Sequence, residues 1–372
     1  MKIAVLNESD LLEKRVAITP DVVKRLISKG HEVVVEEGAG ESALFSYNDY
    51  KSAGAILIKD IPKDVDAYIK VSPPSEKDLE KIENEKILIS LLNPYQNSEL
   101  ISKLKDKKIT SFALEFVPRI SRAQSMDVLS SQANLSGYKS VLDSISHYSS
   151  VIPMMMTAAG TIKPAKILIL GAGVAGLQAI ATAKRLGAIV SAYDVRPVVK
   201  EQVESLGAKF IEVSQEESGE GKGGYAKEMS DEYKKKQEEI LLNTLKTQDI
   251  VITTAQIPGR KAPLLITKEM IKVMKSGSVI FDMAVESGGN VEGSSANEIT
   301  EINDVKIIAP THFTSTLAPA ASQLFARNVM SFIENLLDEN GHVREDDEIV
   351  NGSLVCKNGE IVHEMLVKKE VS

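Results

Sequence analysis

The sequence has few of the features that mark secreted or membrane-embedded proteins. Cys356 is the only cysteine among 372 residues, so no disulfide can form within the chain, which agrees with a reducing compartment. No stretch reaches the roughly 20 apolar residues of a membrane-spanning helix. The most apolar candidate, residues 151–162, is too short and contains Pro153 and Gly160. The N-terminus also lacks an apolar core as long as that of a signal peptide, so we expect the chain by itself to be soluble.

The charge distribution contains no dominant basic tract. The formal net charge is −8, which argues against nucleic-acid binding. Hydrophobic residues make up 43% of the chain and charged residues 26%, as in ordinary globular proteins. A chain of 372 residues is expected to form two domains.

The clearest motif begins at Gly171 and ends at Asp194. An apolar strand, residues 166–170, leads into Gly171-Ala-Gly173-Val-Ala-Gly176, and a helical pattern and a second strand follow. In dinucleotide-binding units the first glycine permits a tight turn, the second lets backbone approach the pyrophosphate, and the third allows close packing of helix and strand. The start of the helix favours phosphates. Asp194 stands about twenty residues on, where a carboxylate accepts hydrogen bonds from ribose hydroxyls.

The acidic residue favours NAD(H) over NADP(H), because a 2′-phosphate would meet the negative charge of Asp194. Arg196 complicates this prediction, since an arginine near this strand end can hold a 2′-phosphate. The alternative to a nucleotide site is a glycine turn in an α/β unit that binds nothing.

Short apolar runs alternate with helical patterns through the first 115 residues, which predicts βαβ units and a parallel sheet. The predicted strands are residues 3–6, 32–35, 67–71, 87–91 and 109–114, and the predicted helices are residues 20–28, 75–82 and 98–104. Strands at 249–253 and 278–281 extend the second sheet. The fold class is therefore α/β, with two doubly wound Rossmann-like domains separated by a cleft.

Two long helices are predicted to join these domains. An apolar stripe from Met126 to Ile145 indicates a helix from Gln124 to about Tyr148, with its stripe buried, and a second stripe from Leu324 to Leu336 indicates a returning helix. The predicted first domain comprises residues 1–125 and 325–372, and the NAD(H)-binding domain comprises residues 126–324. The cleft is expected at the carboxyl ends of the strands of the second sheet.

Polar side chains cluster at the predicted start of the first long helix. Gln124, Asp127 and Ser130 are spaced by threes and would lie near one helix face, where they could hold a carboxamide ring. The alternative is an ordinary capping cluster at a helix N-terminus.

Residues 215–231 break the pattern of the second domain, because glycines stand among charged residues around Tyr225. This stretch is either a surface loop or a lid that closes over a ligand.

Several runs resemble the NAD(H)-binding first component of proton-translocating nicotinamide nucleotide transhydrogenase. They are Arg119-Ile-Ser-Arg-Ala-Gln-Ser-Met-Asp127, Gly171-Ala-Gly-Val-Ala-Gly-Leu177, Gly224-Tyr-Ala-Lys227, Ile257-Pro-Gly259 and Lys275-Ser-Gly-Ser-Val279. The resemblance covers essentially the whole chain. The chain is similar to the split form of this protein, in which the alpha subunit is divided into separate chains. It implies that Arg119, Gln124, Asp127 and Ser130 contact the nicotinamide end. The residues implied to bind NAD(H) are Arg119, Ile120, Ser121, Arg122, Gln124, Gly171, Ala172, Gly173, Val174, Gly176, Asp194, Val195, Arg196, Gly224, Tyr225, Thr254 and Ala255.

The same resemblance implies an activity and partners. NADH bound by this chain would pass hydride to NADP⁺ on the NADP(H)-binding domain of the beta subunit, coupled to proton translocation by membrane-spanning subunits. The chain would form a homodimer, require no metal, and lie in the cytoplasm at the inner membrane through its partners.

Alanine dehydrogenase shares this resemblance through Arg15-Val-Ala-Ile-Thr-Pro20, so an amino-acid dehydrogenase is the first alternative. That enzyme needs a lysine and a histidine, and Ser72 and Asn93 stand at those positions here. Amine oxidation needs an acid–base group, whereas hydride exchange between two nicotinamides needs positioning alone. A non-catalytic NAD-binding module is the second alternative.

Overall fold

The computed structural model describes residues 1–213, 230–257 and 259–370. The strands are β1 (Lys2–Val5), β2 (Glu32–Glu36), β3 (Ile56–Ile58), β4 (Ala67–Ile69), β5 (Ile87–Ser90), β6 (Thr110–Ala113), β7 (Met155–Thr157), β8 (Gly160–Ile162), β9 (Lys166–Leu170), β10 (Ile189–Tyr193), β11 (Lys209–Phe210), β12 (Ile250–Thr253), β13 (Val279–Asp282), β14 (Ile299–Ile302), β15 (Val305–Ile308), β16 (Leu354–Lys357) and β17 (Glu360–Ile361). The α-helices are α1 (Pro20–Ser28), α2 (Tyr47–Ser52), α3 (Glu76–Lys81), α4 (Ser98–Asp106), α5 (Val128–His147), α6 (Val174–Arg185), α7 (Lys200–Ser205), α8 (Asp231–Leu245), α9 (Lys268–Lys272), α10 (Ala318–Leu336), α11 (Glu348–Ser353) and α12 (Glu364–Glu370).

The chain divides into two units. Unit 1 holds residues 1–132 and the residues described after 313, and unit 2 holds the residues described between 133 and 313. The boundaries predicted from the sequence, 125/126 and 324/325, remain a prediction about which segments fold independently.

The sheet of unit 1 has the strand order β17-β16-β6-β5-β4-β1-β2-β3. Its first six strands in the chain run parallel in the order 3-2-1-4-5-6, and β16 adds to the edge antiparallel to β6. This order is the doubly wound topology, in which the strand order reverses at β1.

The sheet of unit 2 repeats that topology, in the order β11-β10-β9-β12-β13-β15-β14. The strands pair in parallel, except that β14 pairs antiparallel with β15. The two predicted doubly wound domains are therefore confirmed. A ligand in such a sheet is expected beside the carboxyl ends of β9 and β12, where the order reverses.

Both sheets are covered by apolar side chains on both faces. Along β9, Ile167 and Ile169 enter one core cluster and Leu168 and Leu170 enter another. Alternate residues of a strand point to opposite faces, so a continuous apolar run is the expected signature of a doubly covered strand. Each such buried side chain stabilises the fold by about 1.5–3 kcal/mol relative to an exposed one.

The predicted long helices are observed, but the first begins later than expected. A 3₁₀ helix (Ser121–Met126) comes first, and α5 follows from Val128. Asp127 interrupts the two because its ψ of 89° is not helical. Leu129, an apolar residue of the stripe between Met126 and Ile145, is 36% exposed, so the prediction that the stripe is buried is wrong at this position. The returning helix, α10, buries Phe325, Val329, Phe332, Ile333 and Leu336 as predicted.

Within the described ranges, the helices fall short of the length and apolar character that a bilayer crossing demands.

Candidate functional site

The glycine turn after β9 has the predicted geometry. Gly171 has a φ of +101°, and a Cβ at this position would lie 2.4 Å from Thr254 Oγ1, so both conformation and space require glycine. A Cβ at Gly176 would lie 1.8 Å from the carbonyl oxygen of Gly171, which explains the close packing of α6 on the turn. Among the described residues, a Cβ at Gly173 would come within 4 Å only of Arg196, at 4.0 Å. The described residues therefore leave space at Gly173, where backbone is predicted to approach a pyrophosphate.

The start of α6 is held in place by α5. A Cβ at Gly137 would lie 2.0 Å from the carbonyl oxygen of Ala175, so α5 and α6 pack closely at this glycine. Asn134 of α5 also donates a hydrogen bond to Gln178. Gly173 is the N-cap residue of α6, and no side-chain cap forms there within the described ranges, so N–H groups of the first turn remain for a ligand.

Asp194 follows β10 and is 8% exposed. Its Oδ2 accepts a hydrogen bond of 2.7 Å from the amide of Ala172, so the carboxylate is joined directly to the glycine turn. Arg196 binds the same carboxylate through its own backbone N–H, Nε and Nη2, at 2.9, 2.9 and 2.7 Å. Its guanidinium is thus engaged by Asp194 in this structure. Val195, between them, is partly buried.

Thr254 and Ala255 follow β12 and lie against the glycine turn. Thr254 donates from its backbone to Leu170 O at 2.8 Å and from its hydroxyl to Gly171 O at 3.0 Å. Asn290 binds Ala255 through both ends of its carboxamide. Sequence reasoning missed Asn290, because its contact with Ala255 spans 35 positions and has no local pattern.

The segment of residues 119–130 lies in unit 1. Arg119, Ser121, Arg122 and Gln124 are exposed, and Ile120 is partly buried. The three residues expected on one helix face do not share a helix: Gln124 belongs to the 3₁₀ helix, Asp127 to the junction and Ser130 to the first turn of α5.

Asp127 caps α5. Its carboxylate accepts hydrogen bonds from the Ser130 amide at 2.8 Å and the Ser130 hydroxyl at 2.6 Å. For Asp127, this is capping of the kind that the sequence left open as the alternative. Capping leaves a role at the nicotinamide untested, because the same carboxylate has further acceptor positions.

Arg122 contacts carboxylates of its own unit. Its guanidinium binds Asp347 at 2.6 Å and Glu348 at 3.5 Å. Although burial alone would raise the pKa of Asp347, hydrogen bonds from Arg122, Asn335 and two α11 amides lower it to about 2. The structure thus gives Arg122 a structural contact with α11, while its predicted role in nucleotide binding remains a prediction.

Asn328 of α10 binds residues on both sides of the junction at Asp127. Its side chain donates to Ser125 O at 2.8 Å and accepts from the Ser131 hydroxyl at 2.7 Å, so it spans the 3₁₀ helix and α5. Arg15 adds a bond of 2.9 Å to Gln132 of α5 and is itself paired with the buried Glu13. The contacts of Asn328 with this segment and of Arg15 with Gln132 were not predicted, because each joins residues that are far apart in the sequence.

The positions that would carry a base in an amino-acid dehydrogenase are each next to a carboxyl group. Ser72 donates to Glu13 at 3.3 Å, and Glu115 Oε1 accepts from the amides of Leu92 and Asn93 at 2.8 and 2.5 Å. Burial of the carboxyl raises the pKa of Glu115 to about 7, against the lowering effect of its backbone hydrogen bonds. Its Oε2 is buried and has no hydrogen-bond partner in the described residues.

Glu115 should make the stability of the protein depend on pH. Its folded pKa, about 7, lies above the ordinary 4.5, so the folded protein keeps a proton that the unfolded chain releases, and stability falls as pH rises between these values. Replacing Glu115 with glutamine, which stays neutral, should stabilise the protein relative to wild type by about 2 kcal/mol more at pH 8 than at pH 5. Urea unfolding at both pH values measures the difference.

Glu37→Gln is the matched control, because Glu37 is an exposed glutamate of the same unit. Relative to wild type, this substitution should change the free energy of unfolding by the same amount at pH 5 and at pH 8. The same behaviour in Glu115→Gln would show that Glu115 ionises in the folded protein as it does in the unfolded chain.

The predicted site residues therefore form two groups. In unit 2, Gly171, Ala172, Asp194, Arg196 and Thr254 are linked by hydrogen bonds or close approach, and Gly173, Val174, Gly176, Val195 and Ala255 adjoin them. In unit 1, the side chains of Asp127 and Ser130 bind each other. Gly224 and Tyr225 lie outside the described residues.

Family models match nearly the whole chain. The model "Alanine dehydrogenase/PNT, N-terminal domain" matches residues 4–136, and "Alanine dehydrogenase/PNT, C-terminal domain" matches residues 140–364.

Two relatives match over nearly their full length. The chain is 47% identical to the first portion of the divided alpha subunit of NAD(P) transhydrogenase from Rickettsia prowazekii (strain Madrid E), covering 99% of this chain and 98% of that one. It is also 47% identical to the corresponding protein from Rhodospirillum rubrum, covering 98% and 99%. The crystal structure of transhydrogenase from Sinorhizobium meliloti superposes with a TM-score of 0.90 at 45% identity, covering 97% of this chain and 100% of that one.

Proposed function

Because the chain belongs to the NAD(P) transhydrogenase alpha subunit family, we propose that it binds NAD(H) and passes hydride from NADH to NADP⁺ held by a partner. The partner is the NADP(H)-binding domain of the beta subunit, and membrane-spanning subunits couple the exchange to proton translocation. The observation that carries the assignment of NAD(H) to this chain is the buried Asp194 carboxylate, bound to the amide of Ala172 in the glycine turn.

The residues of unit 2 fit a dinucleotide. The space that the described residues leave at Gly173 and the start of α6 suit a pyrophosphate, and the carboxylate of Asp194 suits ribose hydroxyls. When bound, the nicotinamide supplies the hydride. We assign contacts with the nicotinamide end to Arg119, Gln124, Asp127 and Ser130, whose role is to fix the ring at the right distance and angle.

No proton has to move in this exchange, so the chain needs no general base. Ser72 and Asn93 are consistent with that requirement, because neither side chain titrates near neutral pH. Glu115 does not supply the missing group, since the oxygen that makes no hydrogen bond in the described structure is buried.

We further propose that the chain forms a homodimer, located in the cytoplasm at the inner membrane through the other subunits. The β7–β8 hairpin exposes apolar side chains that a partner surface could cover: Met154 is 59% exposed, Met156 is 76% and Ile162 is 45%. Light scattering of the purified chain tests this proposal, and a monomer mass at micromolar concentration would contradict it.

The assigned function is tested by reconstitution. The purified chain is mixed with the NADP(H)-binding domain of a transhydrogenase, and hydride exchange between NADH and an NADP⁺ analogue is followed by absorbance. Exchange that requires both proteins supports the proposal. Alanine-dependent reduction of NAD⁺ by the chain alone would instead indicate an amino-acid dehydrogenase, and NADH binding without exchange would indicate a binding module.

A further inference from the structure

We propose that Asn290 is a positioning residue, whose buried carboxamide holds the segment after β12 against the glycine turn and so maintains affinity for NADH. This inference rests on the proposed function, because it concerns how the same nucleotide site is kept in shape. Asn290 is one of the missed residues, and its side chain is fully buried.

The carboxamide of Asn290 forms two complementary hydrogen bonds with one residue. Its Oδ1 accepts from the amide of Ala255 at 3.1 Å, and its Nδ2 donates to the carbonyl of Ala255 at 2.9 Å. Nδ2 also donates to the carbonyl of Pro263 at 2.8 Å. The side chain therefore takes the place of a neighbouring strand for the backbone of Ala255, which has just left β12.

This contact is transmitted to the glycine turn over a short distance. Ala255 is adjacent to Thr254, whose hydroxyl donates to Gly171 O at 3.0 Å. A Cβ at Gly171 would lie 3.4 Å from the amide nitrogen of Ala255 and 2.4 Å from the Thr254 hydroxyl. The backbone at 254–255 thus lies directly against the turn, and moving it would alter the space beside Gly171.

Asn290 is itself rigidly held. Asp282, at the end of β13 and fully buried, accepts hydrogen bonds from the backbone amides of Asn290 at 3.0 Å, Val291 at 3.2 Å and Ala284 at 2.9 Å. The same carboxylate accepts from the Ser294 hydroxyl at 2.9 Å. The ends of β13, β12 and β9 are thereby connected through Asp282, Asn290 and Thr254.

The chemistry requires an amide at this position. Two carbonyl oxygens, of Ala255 and Pro263, face Nδ2, so an ionised carboxyl group of the same size would place negative charge against two acceptors. Protonation would restore one donor. Asp282 is the charged residue that contacts Asn290 in the described structure, and its negative charge would raise the pKa of a carboxyl group introduced there.

The decisive variant is Asn290→Asp. Its Kd for NADH, measured by fluorescence titration, should be about tenfold weaker than wild type at pH 8 and should recover by several-fold at pH 5.5. Asn303→Asp is the matched control: Asn303 also donates its Nδ2 to a carbonyl of unit 2, that of Lys272, but is exposed in the turn between β14 and β15. The control should change neither the affinity nor its pH dependence relative to wild type.

A second measurement tests the proposal even if Asn290→Asp does not fold at pH 8. In Asn290→Ala, amide hydrogen exchange should accelerate at residues 254–257, while exchange in β12 stays slow. Unchanged exchange at 254–257, or acceleration through the whole of unit 2, would overturn the positioning role, as would a folded Asn290→Asp with wild-type Kd at both pH values. Failure of the wild type to bind NADH would instead reject the proposed function.

Discussion

Replacing Asp194 with asparagine is expected to weaken NADH binding by about ten- to a hundredfold and to strengthen NADPH binding, so that the preference for NADH largely disappears. A hydrogen bond to a charged group contributes about 1.5–3 kcal/mol, and each 1.4 kcal/mol is a factor of ten in affinity. Asparagine retains an oxygen that can accept from the amide of Ala172, so the glycine turn should keep its shape.

The gain in NADPH binding is expected because of Arg196. In the present structure both oxygens of Asp194 bind the guanidinium, through Nε and Nη2. Removing the negative charge is expected to weaken these two contacts, and a planar guanidinium with two donors suits the 2′-phosphate of NADPH. We therefore expect Arg196 to bind the 2′-phosphate once the neighbouring carboxylate has been neutralised.

Two further variants separate the effect of Arg196 on NADPH affinity from the effect of the change in net charge. Asp194→Asn combined with Arg196→Ala should lose the gain in NADPH affinity while NADH binding remains weak. Glu204→Gln, an exposed glutamate of unit 2, controls for the change in net charge and should leave both affinities unaltered. Isothermal titration of the wild type and of each variant with both nucleotides gives the affinities to be compared. Equal binding of NADH and NADPH by the wild type would contradict this account and would indicate that Arg196 already binds phosphate.

The features that sequence predicted well depend on short-range patterns. Between Lys166 and Asp194, a strand, a turn, a helix and a second strand are each predicted from residues that are close together in the sequence. The structure contains these elements in that order. Apolar runs mark strands that are covered on both faces, as β9 shows.

The features that sequence missed depend on contacts between distant residues. Asn290 contacts Ala255, and Asn328 contacts Ser125, which is 203 positions away, so local spacing in the sequence predicts neither contact. The expected helix face at Gln124, Asp127 and Ser130 failed for a different reason. Periodicity does not register that an aspartate prefers to cap a helix, and capping moved the start of α5 to Val128.

That correction makes Gln124 the most informative residue for the chemistry. Asp127 and Ser130 bind each other at the start of α5, so replacing either one would also cost about 1 kcal/mol of helix capping. Gln124 is exposed, and no described residue hydrogen-bonds with its side chain. A change in activity after its substitution can therefore be attributed to contact with the nucleotide rather than to loss of structure.

Gln124→Asn is expected to slow hydride transfer by about ten- to a hundredfold while changing the Kd for NADH by no more than about threefold. The glycine turn and Asp194 should supply most of the affinity, whereas a ring contact shortened by one methylene displaces the reacting carbon, and an error of about 1 Å can cost roughly a hundredfold. Stopped-flow transfer to the partner NADP(H)-binding domain measures the rate, and fluorescence titration measures the Kd. Gln202→Asn, on the exposed side of α7, is the control for the same substitution and should transfer hydride at the wild-type rate. If Gln124→Asn also transferred at that rate, Gln124 would have no role in holding the ring; if binding and transfer fell equally, its contact would serve affinity and not orientation.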